Sequence, residues 1–267
     1  MKILFIGDIV GKPGRQAVLN ILPALKKERK IDLTIANGEN AAGGFGLTLR
    51  VAEELFSMGI DVLTSGNHIW DKKEIIKLVE TEKRLLRPAN YAPGVPGLGS
   101  GIFTTRDGEK AGVINLEGRI FMSRIECPFR TAEREIEKLE KAAPNIIIDM
   151  HAEATSEKIA LSRFLDGKVG AIIGTHTHVQ TADEMILPGG TAYISDVGMT
   201  GPRDSVIGVK SELILQRFLT GMPTRFEVAT EDIWFSSVIV ELKEGKARSI
   251  ERVNIPWEKN KNDGKNN

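Results

Sequence analysis

A chain of 267 residues is long enough to bury a substantial core, and a hydrophobic share of 41% with a charged share of 27% is that of an ordinary globular protein, which excludes disorder outside the termini. The 36 basic and 36 acidic residues balance, so no global positive field exists to hold a long nucleic acid and any such contact has to be local. A single cysteine, Cys127, excludes an intrachain disulfide framework and fits a reducing cytoplasm, and no apolar run approaches the roughly 20 residues that span a bilayer, so the chain reads as cytoplasmic and not integral to a membrane.

The N-terminus starts like a signal peptide but meets Asp8 after a run shorter than an h-region, so Lys2–Ile6 reads as a first buried strand. A helix follows over Arg15–Glu28, then a strand at Leu33–Ala36, a helix at Leu49–Met58, a strand at Val62–Thr64 and a helix at Lys72–Val79. The Pro- and Gly-rich stretch 88–101 and the aperiodic stretch 118–130 predict loops, or a small insertion around 88–130. Within it, Ile102–Thr105 and Ala111–Leu116 flank a turn and predict a hairpin. A helix at Ala132–Ala142, a strand at Ile146–Asp149, a helix at Glu157–Leu165 and a strand at Ala171–Ile173 continue the alternation. Trp234–Leu242 and Lys246–Ile255 predict a second hairpin, and 258–267 is a polar, frayed tail. The strands are short and rich in Ile, Leu and Val, as strands covered on both faces are. The expectation is therefore an α/β fold with a mixed sheet and helices on both faces, forming one domain over 1–257.

The residues with chemistry all follow predicted strands: Gly7-Asp8-Ile9-Val10-Gly11, Asn37-Gly38-Glu39-Asn40, Gly66-Asn67-His68, Asp149-Met150-His151 and Gly174-Thr175-His176-Thr177-His178. In α/β sheets, ligands bind beyond the carboxyl ends of the strands, where such loops converge. Each motif alone has a bland reading. Asp8 could cap a helix or meet a ribose, Glu39-Asn40 could be turn chemistry, Asn67-His68 a capping pair, and His151 a satisfied core histidine. The pair His176 and His178 says more, because alternate residues of an extended segment point the same way. All four histidines of the chain fall in these motifs, and that joint pattern decides for a site. Carboxylate, amide and imidazole donors suit Mn, Fe, Co or Zn better than Ca or Mg, and the absence of cysteine argues against a thiolate zinc site. Gly7–Lys12 is not a P-loop, since its spacing is too short and Pro13 stands where Ser or Thr is needed. Lys12 and Arg15 read as solvated surface before phosphate contacts. Trp70, Trp234 and Trp257 could stack on a base, with core packing the default for the first two.

The motif order resembles the calcineurin-like metallophosphoesterase superfamily, with two departures: Val10 stands where the first motif has histidine, and Asn37-Gly38-Glu39-Asn40 replaces the second. Those departures, with Gly66-Asn67-His68-Ile69-Trp70-Asp71, Asp149-Met150-His151-Ala152-Glu153 and Gly174–Gln180, resemble the YmdB-like branch over almost the whole chain. The segment Asp196–Pro202 shares in the resemblance and is placed near the site without a role. The resemblance implies a metallophosphoesterase fold with a dinuclear metal site at the strand C-terminal ends. It implies that Asp8, Glu39, Asn40 and His178 hold one metal and Glu39, Asn67, His151 and His176 the second. Glu39 would then bridge two divalent or mixed-valence ions, Fe or Mn, and His68 would stay free of metal beside the phosphate.

The implied activity is hydrolysis of small phosphodiesters, 2',3'-cyclic and 3',5'-cyclic nucleotides among them. Two ions would share a hydroxide that attacks phosphorus in line, with His68 protonating the departing oxygen as general acid. Two other readings stay open: a regulatory protein that keeps a metal site and acts through RNA or protein partners, and a phosphomonoesterase. The resemblance also suggests a homo-oligomer.

Overall fold

A computed structural model of the chain describes residues 1–258, so the expected frayed tail lies, apart from Glu258, outside the described residues. In chain order the elements are β1 (Lys2–Ile6), β2 (Asp8–Ile9), α1 (Gly11–Arg29), β3 (Leu33–Asn37), α2 (Leu49–Ser57), β4 (Val62–Thr64) and α3 (Ile75–Thr81). Next come β5 (Ser100–Thr104), β6 (Lys110–Glu117), α4 (Pro128–Leu139), β7 (Asn145–His151), α5 (Thr155–Phe164) and β8 (Ala171–Thr175). The last part holds β9 (Met185–Ile186), β10 (Ala192–Ile194), β11 (Met199–Pro202), α6 (Ser211–Thr220), β12 (Ile233–Lys243) and β13 (Lys246–Trp257).

The strands form two mixed sheets where the sequence pattern suggests one. The first has seven strands in the order β2-β11-β12-β1-β3-β4, with β13 paired to β12, and the second has six in the order β5-β6-β7-β8-β10-β9. β1, β3 and β4 run parallel, as do β6, β7, β8 and β10, while both expected hairpins, β5–β6 and β12–β13, are antiparallel. Of the stretch 88–130, residues 100–117 hold β5 and β6 of the second sheet.

Strand alternation explains the layers. In β1, Ile3 and Phe5 face one way and join Leu33, Ile35, Val238, Ile147 and Ile173 in a core shared by the two sheets. Leu4 and Ile6 face the other way, into a core closed by Ala17, Val18 and Leu22 of α1 and by Ala52 and Leu55 of α2. A third core lies between the second sheet and the pair α4 and α5, through Ile114, Ile148, Ile136 and Leu161. Helices therefore cover both outer faces, and the sheets cover each other. A strand packed on a helix and a sheet is as apolar on both faces as one packed on two helices, so the pattern cannot separate the two arrangements. Each fully buried Val, Leu, Ile or Phe contributes about 1.5–3 kcal/mol, and the inter-sheet core is built of these with a few alanines between them.

Helix bounds shift in two informative places. α1 begins at Gly11, ahead of the expected start, because Pro13 is accommodated in the first turn, where its missing N–H has no partner to lose. α4 starts at Pro128 for the same reason. α6 was not expected, and among its residues only Ile214 is buried, so the apolar residues beside it produce no clear one-sided stripe. Among the described residues, no helix is long and apolar enough to cross a membrane.

Candidate metal centre

Five loops at the carboxyl ends of β1, β3, β4, β7 and β8 converge where the two sheets meet. The first sheet delivers Asp8, Glu39, Asn40, Asn67 and His68, and the second delivers His151, His176 and His178. All the oxygen donors thus come from one sheet, and the imidazoles of His151, His176 and His178 come from the other.

One group of donors surrounds His151 Nε2. Glu39 Oε1 lies 3.1 Å from it, Asn67 Oδ1 3.0 Å and His176 Nδ1 3.0 Å. Among the described residues, Glu39, His151 and His176 present ligand atoms all within 4.8 Å of one another. A second group continues from the same carboxylate. Asn40 Nδ2 is 3.2 Å from Glu39 Oε1 and 3.3 Å from His178 Nε2, and His178 Nε2 is 3.9 Å from Asp8 Oδ1. Contacts of about 3 Å are the spacing of neighbouring ligand atoms around an ion whose bonds are about 2.0–2.2 Å. The seven residues singled out by the resemblance are thus brought close together, with Glu39 Oε1 beside both His151 Nε2 and the Asn40 amide.

The donor set fits metal ions. Asp8 Oδ1 and Asn40 Oδ1 are buried and lack a hydrogen-bond partner among the described residues, an arrangement that costs about 1–3 kcal/mol per atom unless something binds there. Half a turn of the Asn40 amide presents its oxygen to His178 and Glu39 in place of its nitrogen. Asp8 and Glu39 are 0% and 1% exposed, and among the described residues their ion-pair partners are histidines. Burial pushes the Asp8 carboxyl up from its ordinary range, against the pull of His178 and His151. Burial acts the same way on Glu39, but the charge and hydrogen bond of His151, with those of His68, hold it below its ordinary value. Two buried carboxylates facing a ring of imidazoles call for cations.

The imidazoles are oriented from behind. Thr175 Oγ1 is 3.0 Å and Asn37 Nδ2 3.3 Å from His151 Nδ1, and both also bind Asp149, whose carboxyl burial pushes up to about 7. Glu153 Oε2 lies 3.2 Å from His176 Nε2. Outer partners of this kind fix which ring nitrogen faces the centre.

The basis expected for His176 and His178 needs correction. They do not alternate along an extended segment: their φ angles are 98° and 67°, in the left-handed region that costs non-glycine residues about 1–3 kcal/mol. A buried ion pair holds that loop. Asp196 Oδ2 accepts from Thr177 N at 3.0 Å, and Lys158 Nζ donates to the same oxygen at 2.9 Å and to Thr175 O at 2.7 Å. His176 N donates to Asp8 Oδ2 at 3.2 Å, tying the loop to the first sheet. The segment starting at Asp196 thereby has a structural task. Lys158 carried no sequence signal, since a lysine in a helix reads as solvent-facing, yet it is 1% exposed.

Among the described residues, His68 has no ligand atom in the cluster formed by Glu39, His151 and His176. Its backbone N–H donates to Glu39 Oε2 at 3.1 Å, its Nδ1 is 2.8 Å from Asp71 Oδ2, and its side chain lines a cavity of about 490 Å³ with Glu39, Asn40, His176 and His178. The tryptophans do not line this cavity, but Phe45, Phe218 and Phe226 do. Trp70 and Trp257 pack at the edge of the first helix–sheet core, and Trp234 lies under Arg203. Arg15 is engaged by Glu54 and by the carbonyl of Ala41, and Lys12 is exposed away from the cavity.

The profile of a family described as YmdB-like protein matches residues 4–253. A 2',3'-cyclic-nucleotide 2'-phosphodiesterase of Bacillus subtilis is 49% identical over 257 residues, covering 96% of this chain and 97% of its own. Among solved structures, a hypothetical protein of Thermus thermophilus superposes with a TM-score of 0.92 at 43% identity, covering 97% of this chain and 100% of that one. A structure described as a novel phosphatase from Mycoplasma pneumoniae superposes with a TM-score of 0.90 at 37% identity, covering 96% and 93%.

Proposed function

The chain belongs to the YmdB-like protein family, and on that premise we propose that it is a metal-dependent phosphodiesterase acting on small phosphodiesters, 2',3'-cyclic nucleotides first and 3',5'-cyclic nucleotides second. The observation that carries this reading is the position of Glu39. Its Oε1 lies 3.1 Å from His151 Nε2 and 3.2 Å from the Asn40 amide, so one carboxylate belongs to two donor groups at once. Asp8, Glu39, Asn40 and His178 would hold one divalent ion, and Glu39, Asn67, His151 and His176 a second. Imidazole with carboxylate and amide oxygen suits iron or manganese. When bound, the ions supply Lewis acidity toward phosphate oxygens and a lowered pKa for water.

The chain's own residues do the rest. Asp71 holds His68 through Nδ1 at 2.8 Å, which leaves Nε2 for the oxygen that departs from phosphorus. Negative charge builds on that oxygen as its bond to phosphorus breaks, and a proton delivered from His68 Nε2 neutralises it. The backbone bond from His68 N to Glu39 Oε2 keeps the acid in register with the donors that position the phosphate. In a 2',3'-cyclic nucleotide the departing oxygen is a ribose hydroxyl, so the sugar must lie beside His68.

The test is hydrolysis of 2',3'-cyclic AMP, bis-p-nitrophenyl phosphate and a phosphomonoester by protein loaded anaerobically with Mn²⁺ or Fe²⁺, against chelated protein and His68→Ala. Metal-dependent diesterase turnover that drops about 10²–10⁴-fold in His68→Ala with metal content retained is the expected result. Faster turnover of the monoester would make this a phosphatase. No turnover with two metals bound would leave a regulatory protein.

A further inference from the structure

The cavity that contains His68 has two unlike walls. One is polar and carries Glu39, Asn40, His176 and His178. The other is apolar, and its large elements are Phe45, Phe226, Ile214 and Val228. The Phe45 ring stands edge-on to His68 with centroids 5.3 Å apart, and Phe226 stacks on Phe45 at 5.9 Å with the planes 29° apart. The guanidinium of Arg217 lies 5.0 Å from the centre of the Phe226 ring. A line of π faces and one cation thus leads away from the proposed acid.

These rings are not core. Phe45 and Phe226 are half-buried, and Phe218, on the same wall, is 77% exposed. Their presentation is built into the chain. The run Asn37–Asn40 that carries Glu39 continues directly into a glycine-rich bend, where Gly44 and Gly46 have φ of 98° and 75° and turn Phe45 toward the cavity. A Cβ on Gly44 would lie 2.8 Å from Val228 Cγ2, so the Phe45 bend presses against the strand of chain that carries Phe226. One segment therefore delivers both the shared carboxylate and the first aromatic ring, and a second segment locks onto it.

We propose that Phe45 and Phe226, with Arg217 at the outer end, form the binding face for the nucleobase of a cyclic nucleotide whose phosphate lies against the polar wall. The inference rests on the phosphodiesterase reading and adds the specificity element to it. With the ribose oxygen beside His68, the base extends one sugar ring further, against the parts of Phe45 and Phe226 that line the cavity, since the faces these two rings turn to each other are already taken. Stacking reads planarity and not the base edge, so the site accepts purines and pyrimidines alike while discriminating against diesters without a ring. A cavity of about 490 Å³ falls within the roughly 300–1,000 Å³ of small-molecule sites.

The experiment compares kcat/KM for 2',3'-cyclic AMP with that for the 2',3'-cyclic phosphate of methyl riboside, which keeps the sugar and the diester and lacks the base. Mn²⁺-loaded wild type, Phe226→Ala and Phe226→Trp are measured. Wild type should prefer the nucleotide about 10–100-fold, chiefly through KM. Phe226→Ala should reduce that preference to a few-fold at most, and Phe226→Trp should keep it. Wild type turning over the two substrates within about threefold, or Phe226→Ala keeping the full preference, overturns the base site while leaving the phosphodiesterase reading intact. Hydrolysis of neither substrate, nor of bis-p-nitrophenyl phosphate, overturns the phosphodiesterase reading and the base site with it.

Discussion

Replacing Lys158 with methionine isolates the support behind the proposed ligand loop. The two side chains have similar length, so packing is largely retained while the ammonium is lost. Lys158 Nζ donates to Asp196 Oδ2 at 2.9 Å and to Thr175 O at 2.7 Å, and both residues of the pair are 1% exposed. Breaking a buried ion pair by removing one partner costs about 3–5 kcal/mol, because the remaining charge is left uncompensated. Asp196 still accepts from Thr177 N at 3.0 Å and from Gly198 N at 2.8 Å, so the low end, about 3 kcal/mol, applies. At about 2–4 °C per kcal/mol for a chain of this size, Tm should fall by about 6–12 °C. The loop should also loosen, since His176 and His178 hold left-handed backbone only while Thr177 and Thr175 are anchored. Urea unfolding gives the free energy, calorimetry gives Tm, and elemental analysis gives the metal content of the same samples. The double variant Lys158→Met with Asp196→Asn should regain part of the loss, because its second change removes the stranded charge. A loss below about 1 kcal/mol with unchanged metal content would refute the reasoning and reduce the pair to an ordinary contact.

Gly66→Ala places a Cβ 2.1 Å from His151 Cδ2, so the imidazole must move; elemental analysis should show metal lost from the group around His151 first, and full occupancy would contradict the close packing described. Asp8→Asn and Glu39→Gln should differ in stoichiometry, the first weakening the Asp8 and His178 group and the second both groups; two tightly held ions in both variants would reject the ligand assignment. Burial pushes the Asp183 carboxyl up, but hydrogen bonds from Ser195 and Thr181 outweigh it and the net shift is downward. A carboxyl lowered on folding stabilises fully above its unfolded value near 3.8 and loses that contribution as pH falls through its lower folded value. Asp183→Asn should therefore lower stability at neutral pH and flatten the acid side of a stability profile, and parallel profiles for both proteins would exclude the effect.

Much of the site is written locally. Asp8, Glu39, Asn40, Asn67, His151, His176 and His178 each follow a short apolar run, and a parallel strand has one carboxyl end at which to leave such a residue. With four histidines in the chain and every one at a strand end, chance placement is a poor account. β1, β3, β4, β7, β8 and both hairpins are legible for the same reason, since burial on two faces and turn residues are properties of short segments, whereas β2, β9, β10 and β11, of two to four residues, are too short to show such a pattern. α6 is not legible, because its apolar residues are largely exposed and make no core stripe.

The tertiary structure decides what those segments are to one another. Burial on both faces does not say whether the second cover is a helix or another sheet, and here Ile3, Phe5, Ile147 and Ile173 meet in a core between two sheets. That choice brings oxygen donors from one sheet against imidazoles from the other, so the packing of the two sheets is what assembles the candidate metal centre. Lys158 and Asp196, 38 residues apart, hold the His176–His178 loop through a pairing that neither local pattern announces. Phe45 and Phe226, 181 positions apart, become neighbours only when their segments pack. Donor chemistry belongs to residue type and strand position, and both are in the sequence. Which donors share an ion, and which rings share a ligand, depends on long-range packing that no single segment encodes.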